Sequence, residues 1–119
     1  DWKDSKYHED HIYPKSEFTT AKLKQRGYSE SAIKEYQRYF NTVANLQLLT
    51  DKENFEKKAI EFDKWIGSRD ENFKNRHTIP ALSSYDFDSF LVFIDHRSGL
   101  VKGMLKQIIV DIATVKELA

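Results

Sequence analysis

A short strand that runs directly into a capped helix is the feature of this sequence that most restricts its fold. Residues 45–50 read NLQLLT, in which Leu46 and Leu48 occupy alternate positions, as in a short strand. Thr50 and Glu53 form a T-x-x-E capping box, which predicts that a helix begins immediately after Thr50. The chain is therefore expected to pass from strand to helix without a loop.

The segments before this unit predict one more strand and one more helix. Residues 7–12 form a weak strand that ends before Pro14, because proline cannot donate a ladder hydrogen bond. Residues 16–28 lack a clear period and contain a glycine, so they are expected to form a loop. Ser29 can cap a helix, and the apolar residues that follow it keep helical spacing. This helix is inserted between the two predicted strands.

The segments after Thr50 are expected to be mainly helical. The capped helix should end at Gly67, and its core stripe is spaced by three and four residues. That stripe consists of Phe55, Ala59, Phe62 and Ile66. A polar connector follows up to Pro80, and a final helical region capped by a serine is expected over about 83–118. The order of elements predicts the α+β class, with a core over about 7–66.

Composition indicates a small globular domain and excludes several kinds of protein. The 119 residues suffice for one domain, over 1–119, with a modest core. Hydrophobic residues make up 39% and charged residues 32%, a balance typical of folded rather than disordered chains. No apolar run approaches the roughly 18–20 residues that a membrane span requires, so we expect no membrane partner. The absence of cysteine excludes disulfides and cysteine-ligated zinc, and it fits the reducing cytoplasm, the location we expect.

Residues 9–16, EDHIYPKS, place an acid directly before a histidine near the end of the first predicted strand. Alone, a pair such as Asp10 and His11 most often forms a surface ion pair or a loop hydrogen bond. Two asparagines further along favour a site, since Asn45 begins the second strand and Asn54 lies in the first turn of the capped helix. Their separation of nine residues (54 − 45) fits one short strand, one turn and the first helical turn.

Three segments resemble the HNH, or ββα-metal, nuclease superfamily: DHIYPKS at 10–16, NLQLLTDKEN at 45–54 and the basic pair at 57–58. The chain is most similar to the C-terminal nuclease domains of GmrSD-type, modification-dependent restriction enzymes, whose helical tail resembles FDSFLVFIDHRSGLVKGML at 87–105. The resemblance implies a small ββα-metal core, here with an inserted helix between the strands and a helical C-terminal region. It also implies the DNA-cleaving module of a larger bacterial restriction or anti-phage defence protein.

The resemblance implies a role for each residue of the motif. His11 would be the general base, since a neutral imidazole removes a proton from water near neutral pH. Asp10 and Asn54 would ligate one divalent metal ion, and their oxygen ligands favour Mg²⁺ or Mn²⁺ over zinc. The amide of Asn45 would hold the loop around His11 in position. Because adjacent strand residues point to opposite faces, β-structure must end or twist at His11 if Asp10 is to reach the same site.

DNA is the partner that the resemblance implies, with Lys15, Lys57 and Lys58 near its backbone. The formal net charge is zero, so global attraction to a polyanion does not bring this chain to DNA. We therefore expect delivery by a neighbouring DNA-recognition or NTPase domain of the same protein. One ββα site cuts one strand and leaves 5′-phosphate and 3′-hydroxyl ends. Double-strand cutting would need a homodimer or two successive events.

Two other functions stay open from the sequence. A nuclease toxin usually carries histidine where this chain has Asn54 and is commonly basic, and both features count against that function. A non-catalytic ββα scaffold that binds a protein or DNA would be expected to have lost Asp10, His11 or Asn54. The other candidates are interpreted as surface or packing residues (His8, His77 and His96), as core (Trp65) and as a buried anchor (Arg97).

Overall fold

A two-stranded antiparallel sheet lies at the centre of the α+β fold that the computed structural model shows for residues 7–118. Strand β1 (Tyr7–His11) pairs in full register with β2 (Leu46–Thr50), and both strands lie where the sequence predicts them. An isolated two-stranded sheet is marginally stable, so this one depends on the helices packed against it. Residues 1–6 and 119 of the predicted domain lie outside the described part of the chain.

The connection between β1 and β2 is helical over most of its length. The loop predicted at 16–28 is wrong, because a 3-10 turn at Lys15–Phe18 is followed by a short helix, α1 (Thr20–Gln25). A threonine hydroxyl caps α1. The helix itself lacks apolar periodicity, and for that reason the sequence does not predict it. The next helix, α2 (Glu30–Tyr39), begins where predicted, because the Ser29 hydroxyl accepts a backbone N–H of its first turn.

The capped helix after β2 is shorter than predicted. Helix α3 (Asp51–Lys57) begins with both hydrogen bonds of the capping box. It ends at Lys58, whose φ of 46° lies in the left-handed region, and a second helix, α4 (Phe62–Gly67), follows. The predicted core stripe is therefore half wrong: its residues in α4 are buried, whereas Phe55 and Ala59 are exposed.

Two further helices complete the described chain. Helix α5 (Glu71–Arg76) lies within the segment predicted as a polar connector. The last helix, α6 (Phe90–Leu118), follows a 3-10 turn at Phe87–Ser89 that Asp86 caps in place of the expected serine. The glycines at 99 and 103 do not interrupt α6. No helix within residues 7–118 is both long and apolar enough to cross a membrane.

Aromatic side chains from distant parts of the chain form the centre of the core. Tyr13 follows β1, and its ring centroid lies 5.2 Å from those of both Phe90 and Phe93, in edge-on contacts. Trp65 is buried, as predicted. Further along α6, the side chains of Leu105 and Ile108 are more than half exposed. The core therefore covers only the first part of α6.

The buried face of β2 carries Gln47 and Leu49. Leu49 is fully buried and Leu48 is 60% exposed, so the alternation of Leu46 and Leu48 does not mark the inner face. Gln47 shares the buried face with Leu49, since alternate strand residues point the same way. Its cross-strand partner is Asp10, so a polar pair lies next to the last residue of β1.

Candidate active site

Asn45 fixes the backbone where β1 ends. It lies in a 3-10 turn before β2 and is fully buried. Its Oδ1 accepts the Tyr13 N–H at 2.9 Å, and its Nδ2 donates to the carbonyl of Tyr13 at 3.1 Å and to that of Phe40 at 2.7 Å. Its own carbonyl accepts the Ile12 N–H at 2.8 Å. These are contacts of the kind that the resemblance implies for Asn45, and they join the chain after β1 to the chain after α2.

The side chain of His11 contacts the chain that follows α2. Its Nε2 lies 2.9 Å from Oδ1 of Asn41, and its ring centroid is 5.9 Å from that of Phe40. The sequence does not predict the contact with Asn41. Asn41 lies 30 residues from His11 in the chain, and no local motif indicates that α2 returns to the end of β1.

The side chain of Asp10 is held from the opposite side, by β2 and α3. Its Oδ2 accepts from Nε2 of Gln47 and from Nζ of Lys57, each at 3.0 Å. The same Nζ donates to the backbone carbonyl of His11 at 3.0 Å. Burial lowers the pKa of Lys57, and the neighbouring carboxylate of Asp10 acts in the opposite direction.

The predicted DNA contact by Lys57 is wrong. The side chain of Lys57 is 1% exposed, and its ammonium group is engaged by Asp10 and by the carbonyl of His11. A buried ammonium needs such partners, because desolvation without them is costly. The next residue, Lys58, is exposed. The basic pair thus divides into one internal counter-ion and one lysine that faces solvent.

A cleft of about 240 Å³ beside the end of β1 brings four of the predicted site residues together. Asp10 and His11 form one wall, Lys15 follows from the first connection, and Lys58 comes from the end of α3. The remaining residues that line the cleft are Glu9, Pro14, Ser16 and Ala59. An aspartate, a histidine and two lysines therefore border one solvent-accessible space. Such a cleft can accommodate a phosphate with a water molecule beside it.

The donor atoms for a divalent metal ion fit in type, with one competitor. Asp10 and Asn54 supply the hard oxygen atoms that Mg²⁺ and Mn²⁺ prefer. Asn54 precedes Lys57 by three residues in α3 and so lies on the same helical face, although it does not line the cleft. The ammonium of Lys57 already occupies Oδ2 of Asp10. Within residues 7–118 there is no group of three or more acidic, histidine or cysteine side chains that could hold a metal.

The other histidines and Arg97 lie outside the cleft. His8 pairs with Asp51, and His77 is 7% exposed. Arg97 is buried and donates to the carbonyl of Val43 at 3.0 Å and to that of His77 at 3.1 Å. The prediction that Arg97 is a buried anchor is therefore confirmed. Its two carbonyl partners lie in the turn before β2 and at the end of α5.

Comparison with known proteins assigns this chain to no family. No protein-family model matches its sequence, and no curated protein matches it either.

Proposed function

We propose that this chain is a metal-dependent DNA endonuclease domain of the HNH type. The observation that carries the proposal is the cleft at the end of β1, where Asp10 and His11 meet Lys15 and Lys58 from two other segments. Hydrolysis of a phosphodiester requires a base for the attacking water, positive charge near the phosphate and relief of charge on the departing 3′ oxygen. The cleft offers groups for the first two of these requirements.

The residues of the cleft then have distinct roles. His11 removes a proton from the water that attacks phosphorus, and the bond from phosphorus to the 3′ oxygen breaks. The ammonium groups of Lys15 and Lys58 bind oxygen atoms of the DNA backbone. Asp10 and Asn54 would hold Mg²⁺ or Mn²⁺, which when bound supplies stabilisation for the phosphate and the departing oxygen. The departing 3′ oxygen takes a proton from solvent water, so cleavage leaves 5′-phosphate and 3′-hydroxyl ends.

The wider context of the proposal is a bacterial restriction or anti-phage defence protein of the cytoplasm. The net charge of zero favours a cutting module that a neighbouring DNA-recognition or NTPase domain brings to DNA. One cleft serves one strand, so the domain should nick DNA. Double-strand cutting would come from a homodimer or from two nicks in succession.

One observation favours the alternative, a non-catalytic scaffold that binds a protein or DNA. The ion pair between Asp10 and Lys57 satisfies the carboxylate without any metal. In a scaffold this pair would be permanent, and divalent ions would have no effect. Oδ1 of Asp10, however, accepts no hydrogen bond from residues 7–118. In the nuclease this oxygen would be available to a cation.

Incubation of supercoiled plasmid with the protein distinguishes the two functions. The nuclease is expected to produce open circles with Mg²⁺ or Mn²⁺ and none with EDTA. Modified and unmodified plasmids should both be tested, because the domain that selects the target is a separate one. Absence of nicking on both plasmids with either metal, together with unchanged metal titration heats in Asp10→Ala, would establish the scaffold instead.

A further inference from the structure

The contact between His11 and Asn41 joins two segments that the sequence separates. His11 is the last residue of β1, and Asn41 follows the C-terminal end of α2. Nε2 of the ring lies 2.9 Å from Oδ1 of the amide. Within residues 7–118 the ring nitrogen Nδ1 has no hydrogen-bond partner, so the two nitrogens of His11 have different surroundings.

We infer that Asn41 is a positioning residue for His11. This inference rests on the proposed function of the cleft. A neutral imidazole carries one N–H donor and one acceptor nitrogen, and an amide oxygen can only accept. The contact therefore fixes the hydrogen on Nε2 and leaves the lone pair on Nδ1. Nδ1 is then the nitrogen that removes the proton from water. Asn41 contributes by fixing the tautomer and the ring orientation, without contact with the substrate.

The backbone around Asn41 is fixed on both sides, which prepares its side chain for this contact. On one side, the Phe40 N–H donates to the carbonyl of Tyr36 at 3.0 Å, and the Phe40 carbonyl accepts from Asn45 at 2.7 Å. On the other side, the hydroxyl of Thr42 donates to the carbonyl of Tyr39 at 2.8 Å. The ring of Phe40 also lies beside that of His11. An amide held in this way orients a base at little further entropic cost.

The inserted segment between the strands therefore belongs to the site. Through Phe40 and Asn41 it contacts the ring of His11, and Asn45 couples these residues to the end of β1. A deletion that shortened this segment would remove the hydrogen-bond acceptor even if the sheet and α3 stayed folded. The insertion is thus more than a local elaboration of the ββα unit.

Nuclear magnetic resonance of the histidine side chains tests the inference without any need for activity. In wild-type protein above pH 7.5, nitrogen-15 shifts should show that the neutral ring of His11 carries its hydrogen on Nε2. Asn41→Leu should shift the ring towards a mixture of the two tautomers, and Asn41→Asp should keep the hydrogen on Nε2, because a carboxylate also accepts. Gln37→Leu is the matched control: Gln37 ties α2 to the preceding segment through the Phe18 carbonyl and does not touch His11. It should lower the melting temperature and leave the ring signals unchanged.

Plasmid nicking by the same four proteins adds the functional readout. Asn41→Leu should nick about 10–100-fold more slowly than wild type, the usual effect of removing a partner that orients an active-site histidine. Gln37→Leu should keep the wild-type rate below its melting temperature. A wild-type ring protonated on Nδ1, or an Asn41→Leu variant as fast as wild type, would overturn the inference alone. A folded wild type with the expected ring signals and no nicking would overturn the proposed function, and the catalytic role of Asn41 with it.

Discussion

Asp10 and His11 are adjacent in the chain, yet their side chains lie in two different environments. Asp10 is held by Gln47 and by the buried ammonium of Lys57, on the side of β2 and α3. His11 is held by the neutral amide of Asn41, on the side of the inserted segment. The first environment holds the carboxylate of Asp10 in an ion pair, whereas the second contacts one nitrogen of the His11 ring and leaves the other without a hydrogen-bond partner among residues 7–118. One strand end therefore carries an ion pair and, beside it, the histidine that we propose as the base.

The largest expected effect concerns the His11 side and is confined to catalysis. Because His11 is proposed to act on water alone, His11→Ala should lower the nicking rate by about 10²–10⁴, the usual contribution of a positioned general base. Its melting temperature and its affinity for DNA should stay close to those of wild type. His96→Ala, at an exposed position of α6, is the control and should retain full activity. Nicking by His11→Ala at the wild-type rate would place the base elsewhere.

Removal of the ion-pair partner of Asp10 should instead lower the stability of the fold. Lys57→Met leaves the carboxylate of Asp10 without its ion-pair partner, and we expect a loss of about 3 kcal/mol in the free energy of unfolding. The double variant Asp10→Asn with Lys57→Met should regain part of this loss, because no unpaired charge then stays buried. Urea unfolding of the single and double variants measures both effects. Equal stability of Lys57→Met and wild type would show that the pair makes no net contribution to stability.

Local signals in the sequence predict the elements that build this strand end. The capping box at Thr50 predicts where α3 begins, and the serine at 29 predicts where α2 begins. The end of α3 is not predictable in this way, since Lys58 adopts a positive φ that glycine would normally signal. Helix α5 is also missed, because a helix of six residues offers too short a window for periodicity.

The partners of the site residues are less predictable than the residues themselves. Residue type and spacing are enough to select Asp10, His11 and Asn45 as candidates. By contrast, Asn41 and the buried position of Lys57 follow from how distant segments pack, which the spacing does not encode. A lysine beside another lysine is normally solvated, and the carboxylate of Asp10 together with the carbonyl of His11 offsets the cost of burying this one.

Asn45 joins the chain after β1 to the chain after α2, so its loss should affect both stability and nicking. Asn45→Ala removes one acceptor and two donor contacts in a fully buried place and should cost about 1–3 kcal/mol of stability. It should also slow nicking, because the carbonyl of Phe40, next to Asn41, loses its partner. Thermal melting and plasmid assays on the same preparation measure the two effects. Normal melting with normal nicking would show that Asn45 is merely a residue before the strand.

Lys58 offers a matched contrast with Lys57, its neighbour in sequence. Lys58→Gly removes an exposed ammonium at the cleft and should reduce the salt dependence of DNA binding by about one unit of slope. It should also raise stability by about 1 kcal/mol, because glycine adopts the φ of 46° without steric cost. Lys58→Ala should show the same change in DNA binding without the gain in stability. An unchanged salt slope in both variants would remove Lys58 from the DNA-binding surface.

The smallest expected effect is a loss of stability in acid that involves His77, which lies outside the cleft. Burial chiefly lowers the pKa of His77, aided by the charge of Arg76. In the unfolded chain His77 protonates near its ordinary pKa of about 6.5, so below that pH the unfolded state binds more protons and stability falls. Above that pH the contribution of His77 is fully present. His77→Phe keeps a ring against Phe73 and cannot protonate, so its melting temperature should decline less than that of wild type between pH 7 and 5.5. His96→Phe should follow wild type, because His96 is exposed, and parallel curves for all three proteins would show that burial of His77 has no effect on acid stability.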